Sequence, residues 1–394
     1  MKLIRQAEVY APEYLGKKDI LVINDKIVAI EDQISGGFDQ LTVEEIDGSS
    51  LIATPGFIDC HFHILGGGGE GGYQNRTPEV TLSQLTTAGV TTVVGCLGTD
   101  GVGRDMVALI SKAKGLEAEG ISTYVYDGSY RLPLDPVTDS LIKDFLTIDK
   151  VIGIGEIAVS DHRSSQPSFE EFTRAVADAR VGGMLSGKAG ITNVHLGGGK
   201  RQYELLLKTV EETEIPISQF LPTHANRTSE LFEASIVFAK MGGTIDFTAS
   251  EDPDFWERED DEVRFSKGLK RLLDEGIGLD QFTMTSDGQG SLPYFDENNQ
   301  FIGLGVGSSR ALMVGIKEAV QVEQIPLEIA LRAITSNPAK ILKLAQKGRI
   351  APGMDADLCL LNQDTLDVET VIAKGKVMVD KKNVKVWGTF EQLV

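Results

Sequence analysis

The sequence predicts an α/β protein, a (β/α)8 TIM barrel with a small β-sandwich domain built from both termini. In the middle of the chain, eight short apolar runs alternate with amphipathic stretches, as a barrel of strands and surrounding helices requires. Both ends of the chain instead consist of short apolar runs separated by turn residues, which is typical of antiparallel strands. We therefore expect the small domain at 1–54 plus 346–394 and the barrel at 55–345.

The two terminal segments are predicted to be rich in strands. Apolar runs at 20–23 and 26–30 are joined by Asn24 and Asp25, a pattern typical of a β-hairpin. Three similar runs lie near the carboxyl terminus, at 356–361, 371–373 and 375–379.

Eight candidate strands follow one another between these ends. They end near His63, Gly98, Tyr130, Ser160, Leu196, Asn226, Ser250 and Asp287. The stretches predicted to be helices include 103–119, 168–182, 229–241 and 261–275. A doubly wound open sheet is the alternative, but the glycine run at 66–69 lacks the GxGxxG spacing of its dinucleotide-binding turn. The acidic, aromatic segment 252–261 is predicted to be a solvated loop and helix start rather than a substrate lid.

Composition excludes several classes of partner. The 394 residues carry a formal net charge of −20, so nucleic acid is not expected as a partner, because phosphate binding needs a basic face. No apolar run of about 18 residues is present, and we expect no membrane span. The first residues contain no sustained apolar h-region, so we expect no signal peptide, and the three cysteines form no CxxC pair. They are interpreted as reduced thiols of a cytoplasmic protein.

His61 and His63 close the first candidate strand of the barrel. Residues i and i+2 of a strand point to the same face, so the two imidazoles lie side by side. Neutral imidazole is the commonest metal ligand in proteins. A single His-x-His pair is weak evidence on its own, since two polar residues can end a strand by chance.

Other rare residues occupy equivalent positions. His195, His224 and Asp287 end the fifth, sixth and eighth candidate strands, and Glu156 lies in the fourth. The carboxyl ends of barrel strands converge on one face, where active sites lie. Four histidines and two carboxylates on one face predict a metal centre. The fifth histidine, His162, has no matching spacing and is interpreted as a loop residue.

The number of ligands predicts two metal ions. His61, His63 and Asp287 are expected to hold one ion, and His195 with His224 the other. Glu156 and a hydroxide derived from water are expected to bridge them. In this interpretation Asp287 is the general acid and base, taking a proton from the water and passing it to a leaving amine.

Several motifs carry a family resemblance. Pro-Gly-Phe-Ile-Asp-x-His-x-His at 55–63 and Pro-Gly-Met-Asp-Ala-Asp-Leu at 352–358 resemble the amidohydrolase superfamily. Six further motifs resemble its isoaspartyl dipeptidase family, and they lie at 66–70, 77–80, 98–100, 160–164, 222–227 and 286–291. The resemblance spans essentially the whole chain. It implies hydrolysis of β-aspartyl (isoaspartyl) dipeptides with two divalent metal ions per chain, expected to be Zn²⁺, in a homo-oligomer that is commonly an octamer.

The resemblance also implies roles for residues outside the metal centre. Glu70 would bind the free α-amino group of the dipeptide, and Tyr130 would hydrogen-bond the scissile carbonyl. Thr99, Arg163, Arg227 and Ser291 would hold its carboxylates. Arginine suits planar carboxylates, which agrees with these assignments. A surface salt bridge remains the alternative for the two arginines, and a plain core or rim aromatic for Tyr130.

The sequence departs from the family pattern at Glu156. The resemblance implies a carboxylated lysine as the bridging ligand at this position, and no lysine lies between Lys150 and Lys188. A carboxylate and a carbamate are both bidentate monoanions, so we expect glutamate to bridge the ions without carbon dioxide. A site that has lost one metal ion is the alternative.

Two other functions remain open. One is an amidohydrolase that acts on cyclic amides or N-acyl amino acids, similar to dihydroorotase or hydantoinase, which would share the metal ligands but not Glu70. The other is a catalytically silent scaffold of the same fold, in which metal ligands are usually lost.

Overall fold

The computed structural model describes residues 1–36, 42–295 and 301–392. In this part of the chain the strands are β1 (Lys2–Tyr10), β2 (Tyr14–Ile23), β3 (Lys26–Glu31), β4 (Glu44–Asp47), β5 (Leu51–Pro55), β6 (Phe57–Phe62), β7 (Val90–Gly95), β8 (Ser122–Asp127), β9 (Val151–Val159), β10 (Ile191–Leu196), β11 (Phe220–Thr223), β12 (Ile245–Thr248), β13 (Phe282–Thr285), β14 (Ser291–Phe295), β15 (Phe301–Val306), β16 (Leu358–Asn362), β17 (Val368–Ala373), β18 (Lys376–Asp380) and β19 (Asn383–Val384).

The α-helices lie mostly between the strands of the middle region. They are α1 (Leu82–Thr86), α2 (Met106–Glu119), α3 (Leu141–Thr147), α4 (Phe169–Ser186), α5 (Glu204–Glu212), α6 (Ser229–Lys240), α7 (Pro253–Glu259), α8 (Phe265–Asp274), α9 (Arg310–Gln321), α10 (Leu327–Ala330) and α11 (Ser336–Ile341). Short 3-10 helices cover Tyr73–Asn75, Ile217–Gln219 and Leu331–Ile334. No helix in the described ranges is long and apolar enough to cross a membrane.

One mixed sheet joins the two ends of the chain. Its strands lie in the order β19-β18-β17-β16-β5-β1-β2-β3, and β4 pairs with β1. Antiparallel pairing of β16 with β5 places Leu360 opposite Ala53 and brings the two terminal segments together. Apolar side chains from both segments, such as Ile4 and Leu358, share one buried core. The predicted hairpin at 20–30 is confirmed by the β2–β3 pair.

The middle of the chain forms a curled parallel sheet. Its strands lie in the order β11-β10-β9-β8-β7-β6, and β12 pairs with β13 in parallel. Backbone hydrogen bonds link the two groups, from Ala225 N to Asp246 O on one side and from His63 N to Gly288 O on the other. All nine residues of β9 are buried, which is typical of a parallel strand covered on both faces. A strand lies at each of the eight predicted positions, and the α/β class is confirmed.

The helices begin and end where their sequences favour it. In α4 the Ser168 hydroxyl accepts a hydrogen bond from Glu171 N, and the Glu171 carboxylate accepts one from Ser168 N. Gly187 ends the helix at φ 72°, a left-handed conformation that glycine adopts without strain. The same helix buries Phe172 and Val176, four residues apart on one face. Helices α2, α4, α6 and α8 overlap the four stretches predicted to be helical.

A helix and a hairpin beyond the seventh barrel strand differ from the sequence prediction. The acidic segment contains a complete helix, α7, whose first turn is capped by Asp252. Trp256 of this helix packs against Tyr294, with 5.5 Å between ring centroids. Tyr294 belongs to the β14–β15 hairpin, which the sequence pattern did not predict. The segment is therefore packed against a neighbour rather than simply solvated.

Candidate metal centre

The structure brings all six predicted metal ligands together at the carboxyl ends of the parallel strands. They are His61 and His63 at the end of β6, Glu156 in β9, His195 in β10, His224 after β11 and Asp287 after β13. The five residues other than Asp287 are at most 6% exposed. Parallel strands make this arrangement possible, because their carboxyl ends lie at the same edge of the sheet.

The first group of donors has the spacing of a metal site. His61 Nε2 lies 3.5 Å from both Glu156 Oε2 and Asp287 Oδ1. His63 Nε2 lies 3.4 Å from Glu156 Oε1 and 3.2 Å from Asp287 Oδ1. Two donors about 2.1 Å from a tetrahedral Zn²⁺ are separated by about 3.4 Å. The pairwise separations are therefore those of ligands that share one ion, and Asp287 also joins His61 and His224 in a group of ligand atoms within 4.8 Å of one another.

A second group of donors shares Glu156 with the first. His195 Nδ1 lies 3.1 Å and His224 Nε2 lies 3.8 Å from Glu156 Oε2. These three residues offer ligand atoms that all lie within 4.8 Å of one another. Glu156 thus faces histidines from both groups, the position that a bridging ligand needs.

The carboxylates are held ionised but are not fully paired. Burial alone would raise the pKa of Glu156 and of Asp287, but the surrounding imidazoles, chiefly His61, outweigh it and lower both pKa values well below the ordinary range. Glu156 Oε1 and Asp287 Oδ1 face imidazole nitrogens at 3.2–3.5 Å, but among the described residues neither oxygen accepts a well-directed hydrogen bond. Buried polar atoms are usually paired, so these two oxygens point to a cation as their missing partner.

Each of three imidazoles is oriented through its other nitrogen. His61 Nδ1 lies 2.9 Å from Asn193 Oδ1, and His224 Nδ1 lies 2.6 Å from Thr248 Oγ1. His195 Nε2 lies 2.9 Å from Asp161 Oδ2. Such outer partners set the tautomer, so that the opposite nitrogen can bind a metal. Burial, reinforced by the nearby charge of Arg227, lowers the pKa of His224 to about 3 and keeps this imidazole neutral.

Sequence reasoning missed two residues of this region. Asp161 contacts His195 and also accepts hydrogen bonds from the Arg163 guanidinium, at 2.8 Å from Nη2 and 3.0 Å from Nε. Its position directly before His162 in a motif already singled out could have suggested a role. The other is Cys96, which joins His61, His63 and Glu156 in a group of possible metal ligands.

A cavity of about 680 Å³ opens onto the metal-ligand residues. All six residues predicted outside the metal centre line it: Glu70, Thr99, Tyr130, Arg163, Arg227 and Ser291. Trp256 of α7 lines the same cavity, so the segment predicted to be a solvated loop forms part of its wall. The exposed His162 lies at the rim and takes no part in the donor groups found in the described residues.

Within this cavity the predicted amine-binding and carboxylate-binding residues contact one another. Glu70 Oε1 accepts hydrogen bonds from Thr99 Oγ1 at 2.7 Å and from Arg163 Nη1 at 3.1 Å. The guanidinium of Arg163 also lies over the ring of Tyr130, 5.3 Å from its centroid. The Tyr130 hydroxyl lies 2.9 Å from His195 Nδ1, which places it directly at the metal-ligand residues.

Comparisons with known proteins identify the family of this chain. The family model described as "Amidohydrolase family" matches residues 52–378, and the chain belongs to this family of hydrolases. A solved structure of β-aspartyl dipeptidase from Fervidobacterium islandicum AW-1, in complex with β-Asp-Leu dipeptide, is 46% identical with a TM-score of 0.89. The match covers 98% of this chain and 98% of that chain.

More distant relatives share the fold with other activities. A dihydroorotase from Geobacter metallireducens is 24% identical over 401 residues, which cover 91% of this chain and 89% of that protein. A dihydropyrimidinase structure from Brevibacillus agri NCHU1002 is 17% identical with a TM-score of 0.66, covering 98% of this chain and 96% of that chain. At these identities the likeness concerns the fold.

Proposed function

We propose that this chain is a metal-dependent dipeptidase that hydrolyses β-aspartyl dipeptides. The observation that carries the proposal is its similarity, along nearly the whole chain, to the β-aspartyl dipeptidase described above. The charges in the cavity support it. A β-aspartyl dipeptide carries one ammonium and two carboxylate groups, and one anionic and two cationic side chains, Glu70, Arg163 and Arg227, line the cavity beside the metal-ligand residues.

Two divalent ions are proposed to bind at the carboxyl ends of the strands, and the imidazole and carboxylate donors there favour Zn²⁺. The proposed ligands are His61, His63 and Asp287 for one ion, His195 and His224 for the other, and Glu156 as the bridge. Imidazole and carboxylate donors suit zinc, and the two carboxylate oxygens that accept no well-directed hydrogen bond among the described residues support the fit. When bound, such a pair of ions activates a water molecule and polarises a carbonyl group.

The chain's own groups are proposed to move protons and hold the substrate. Asp287 takes a proton from the attacking water and gives it to the leaving amine, a role that suits a carboxylate that lines the cavity and contacts His61 and His63. The Tyr130 hydroxyl donates a hydrogen bond to the oxygen of the scissile carbonyl, where negative charge develops.

Substrate recognition is proposed to use the remaining cavity residues. Glu70 binds the free ammonium group, replacing part of its present contact with Arg163. Thr99, Arg163, Arg227 and Ser291 hold the two carboxylates. The arginines present planar forks of donors that match a carboxylate with two parallel hydrogen bonds.

Activity on a matched pair of dipeptides tests the proposal. The purified, zinc-loaded chain is expected to cleave β-Asp-Leu at a rate at least about 10²-fold above that for α-Asp-Leu, because only the β-linked isomer places its ammonium and carboxylates as the cavity requires. Equal rates on the two isomers would contradict the specificity. Fewer than one bound metal ion per chain would instead support a catalytically silent scaffold.

The Glu156 bridge predicts that metal assembly is independent of carbon dioxide. A glutamate carboxylate is present as soon as the chain folds, whereas a carboxylated lysine must first be formed. Zinc is therefore expected to restore full activity to the metal-free protein in bicarbonate-free buffer. Activity that rises on adding bicarbonate would show that Glu156 is not the bridging ligand.

The architecture proposed for this site is a closed (β/α)8 barrel at 55–345 with a β-sandwich domain at 1–54 plus 346–394. The hydrogen bonds that link β12 and β13 to both sides of the parallel sheet support closure. The shared core of the terminal strands supports a separate domain. A cytoplasmic homo-oligomer, octameric by family resemblance, is part of the proposal, and sedimentation of the purified chain measures its size.

The alternative function is hydrolysis of a cyclic amide, favoured by the distant dihydroorotase relatives. A variant of Glu70 distinguishes the dipeptidase from the cyclic-amide hydrolase, because a cyclic amide has no free ammonium group to pair with this glutamate. Glu70→Gln is expected to lower kcat/KM for β-Asp-Leu by about 10²-fold. Glu79→Gln, which alters an exposed glutamate paired with Lys112, is the matched control and should leave the activity unchanged. Full activity of Glu70→Gln, with hydrolysis of dihydroorotate, would favour the alternative.

A further inference from the structure

Cys96 lies directly against the first group of metal ligands. It follows β7 and is completely buried. Its Sγ lies 3.6 Å from His61 Nε2 and 3.7 Å from His63 Nδ1. Together with Glu156, these residues offer four ligand atoms that all lie within 4.8 Å of one another.

The surroundings of Cys96 differ from those of a buried thiol that only packs. Cys359, for comparison, donates its S–H to the carbonyl oxygen of Gly89 at 3.1 Å. The Cys96 thiol has two hydrogen-bonding contacts in the described part of the chain, and both are imidazole nitrogens. One of them, His61 Nε2, faces the carboxylates of the metal centre. The other, His63 Nδ1, lies on the ring edge away from the Nε2 that faces them.

The distance fits a sulfur ligand. Zinc binds thiolate sulfur at about 2.3 Å and imidazole nitrogen at about 2.0–2.1 Å, so two such donors are about 3.1–3.6 Å apart for angles of about 90–110° at the metal. The separation of Cys96 Sγ from His61 Nε2 lies at the upper end of this range, and the sulfur would be a fifth protein donor of this ion. Independently, Glu156 Oε1 is buried, accepts no well-directed hydrogen bond among the described residues and belongs to the same group of donors. An ion at this point would satisfy both the sulfur and the oxygen.

We propose that Cys96 Sγ is a ligand of the ion held by His61 and His63. The proposal rests on the metal centre proposed above. On binding, the S–H bond breaks, its electron pair forms the sulfur–metal bond, and one proton is released to solvent. A thiolate ligand makes this ion site softer than a site of imidazole and carboxylate alone, and favours Zn²⁺, Co²⁺ and Cd²⁺ over Mg²⁺ or Mn²⁺.

Cobalt substitution tests the sulfur ligand without relying on activity. The full chain is stripped of metal and loaded with Co²⁺, and metal content is measured beside the absorption spectrum. The wild-type protein is expected to show an intense sulfur-to-cobalt charge-transfer band in the near ultraviolet. Cys96→Ser should lose the band and bind Cd²⁺ at least about 10-fold more weakly. Cys60→Ser and Cys359→Ser, which change the other two buried cysteines, should keep it.

The outcomes separate this inference from the proposed function. A wild-type protein that binds two Co²⁺ ions and cleaves β-Asp-Leu without the band overturns the sulfur ligand and leaves the dipeptidase proposal standing. A band that persists in Cys96→Ser, or that is lost in Cys60→Ser, also overturns it. Failure to bind any metal overturns both proposals. The wild-type spectrum decides the matter even if Cys96→Ser does not fold.

Discussion

The parallel strands carry a buried cluster of charged groups at each end, and the two clusters are completed in different ways. At the amino ends, Lys347 lies 2.8 Å from Asp355 and forms a buried ion pair with Asp357. It also donates to the Ser122 hydroxyl at the start of β8. The remaining oxygens of the two aspartates accept hydrogen bonds from Lys26 and from Lys374 N. Every charged group in this cluster has a partner within the protein.

The cluster at the carboxyl ends lacks such a balance. It has two carboxylates and four histidines within contact distance, yet an oxygen of Glu156 and an oxygen of Asp287 accept no well-directed hydrogen bond in the described ranges. Buried polar oxygens usually accept well-directed hydrogen bonds, so two that do not are typical of a site that binds a further group. The contrast separates a structural ion pair from a site prepared for an external cation.

The largest expected effect follows from removing the bridging carboxylate. Glu156→Gln should reduce bound zinc from two ions to at most one and lower kcat for β-Asp-Leu by at least about 10³-fold, since both ions share this ligand. Urea unfolding of the metal-free variant and of the metal-free wild type checks that the variant is folded. Two bound ions and normal activity in the variant would contradict the assignment.

Loss of a charge from the amino-end cluster of Lys347, Asp355 and Asp357 should instead lower stability and leave activity unchanged. Lys347→Met is expected to lower the free energy of unfolding by about 3–5 kcal/mol, because it leaves the buried carboxylate of Asp357 without its cation. Zinc content and kcat of the folded variant should not change. Lys340→Met, which breaks an exposed pair with Asp280, is the control and should cost at most about 1 kcal/mol. Urea unfolding of the metal-free wild type, Lys347→Met and Lys340→Met measures these free energies. Equal stability of all three would show that the buried pair of Lys347 does not stabilise the fold.

A smaller effect, on zinc affinity, should appear on acidification. Burial lowers the pKa of His61, but Cys96 and Glu156 outweigh it, so the pKa of this imidazole in the metal-free protein lies well above its ordinary value. Protons therefore compete with zinc, and its affinity should fall by about 10- to 100-fold per pH unit for one or two displaced protons. Zinc titrations in buffers of different protonation enthalpy measure the protons released; no release at neutral pH would contradict this.

The same acidification should leave the ion pairs of the amino-end cluster around Lys347 unchanged. Burial opposes ionisation of Asp355, but Lys26 and Lys347 lower its pKa below the ordinary value. A group with a lowered pKa contributes stability above its unfolded pKa and loses it as the pH falls through the folded value. In the wild-type protein the Asp355 carboxylate should therefore stay ionised between about pH 5 and pH 7 and show no titration there by NMR. A titration in this window would show that the two clusters titrate together.

Much of the fold and of the metal centre could be predicted because the relevant patterns are local. A buried parallel strand needs a continuous apolar run, and eight such runs are present in the sequence, each followed by a turn. The period of two within a strand places His61 and His63 on one face whatever the rest of the chain does. The wall formed by α7 and the β14–β15 hairpin was not predicted, because it depends on contacts between segments far apart in sequence.

The sequence by itself thus determined the order of the strands, the residue types at their carboxyl ends and the glutamate where a carboxylated lysine is expected. Only the tertiary structure decided which groups complete the site. Cys96 follows an ordinary apolar run, and it reaches the histidines because β7 lies beside β6 with Gly95 opposite Phe62. Asp161 likewise reaches His195 only because β9 and β10 are neighbours. Register between strands depends on packing across the whole sheet, so no local pattern encodes these contacts.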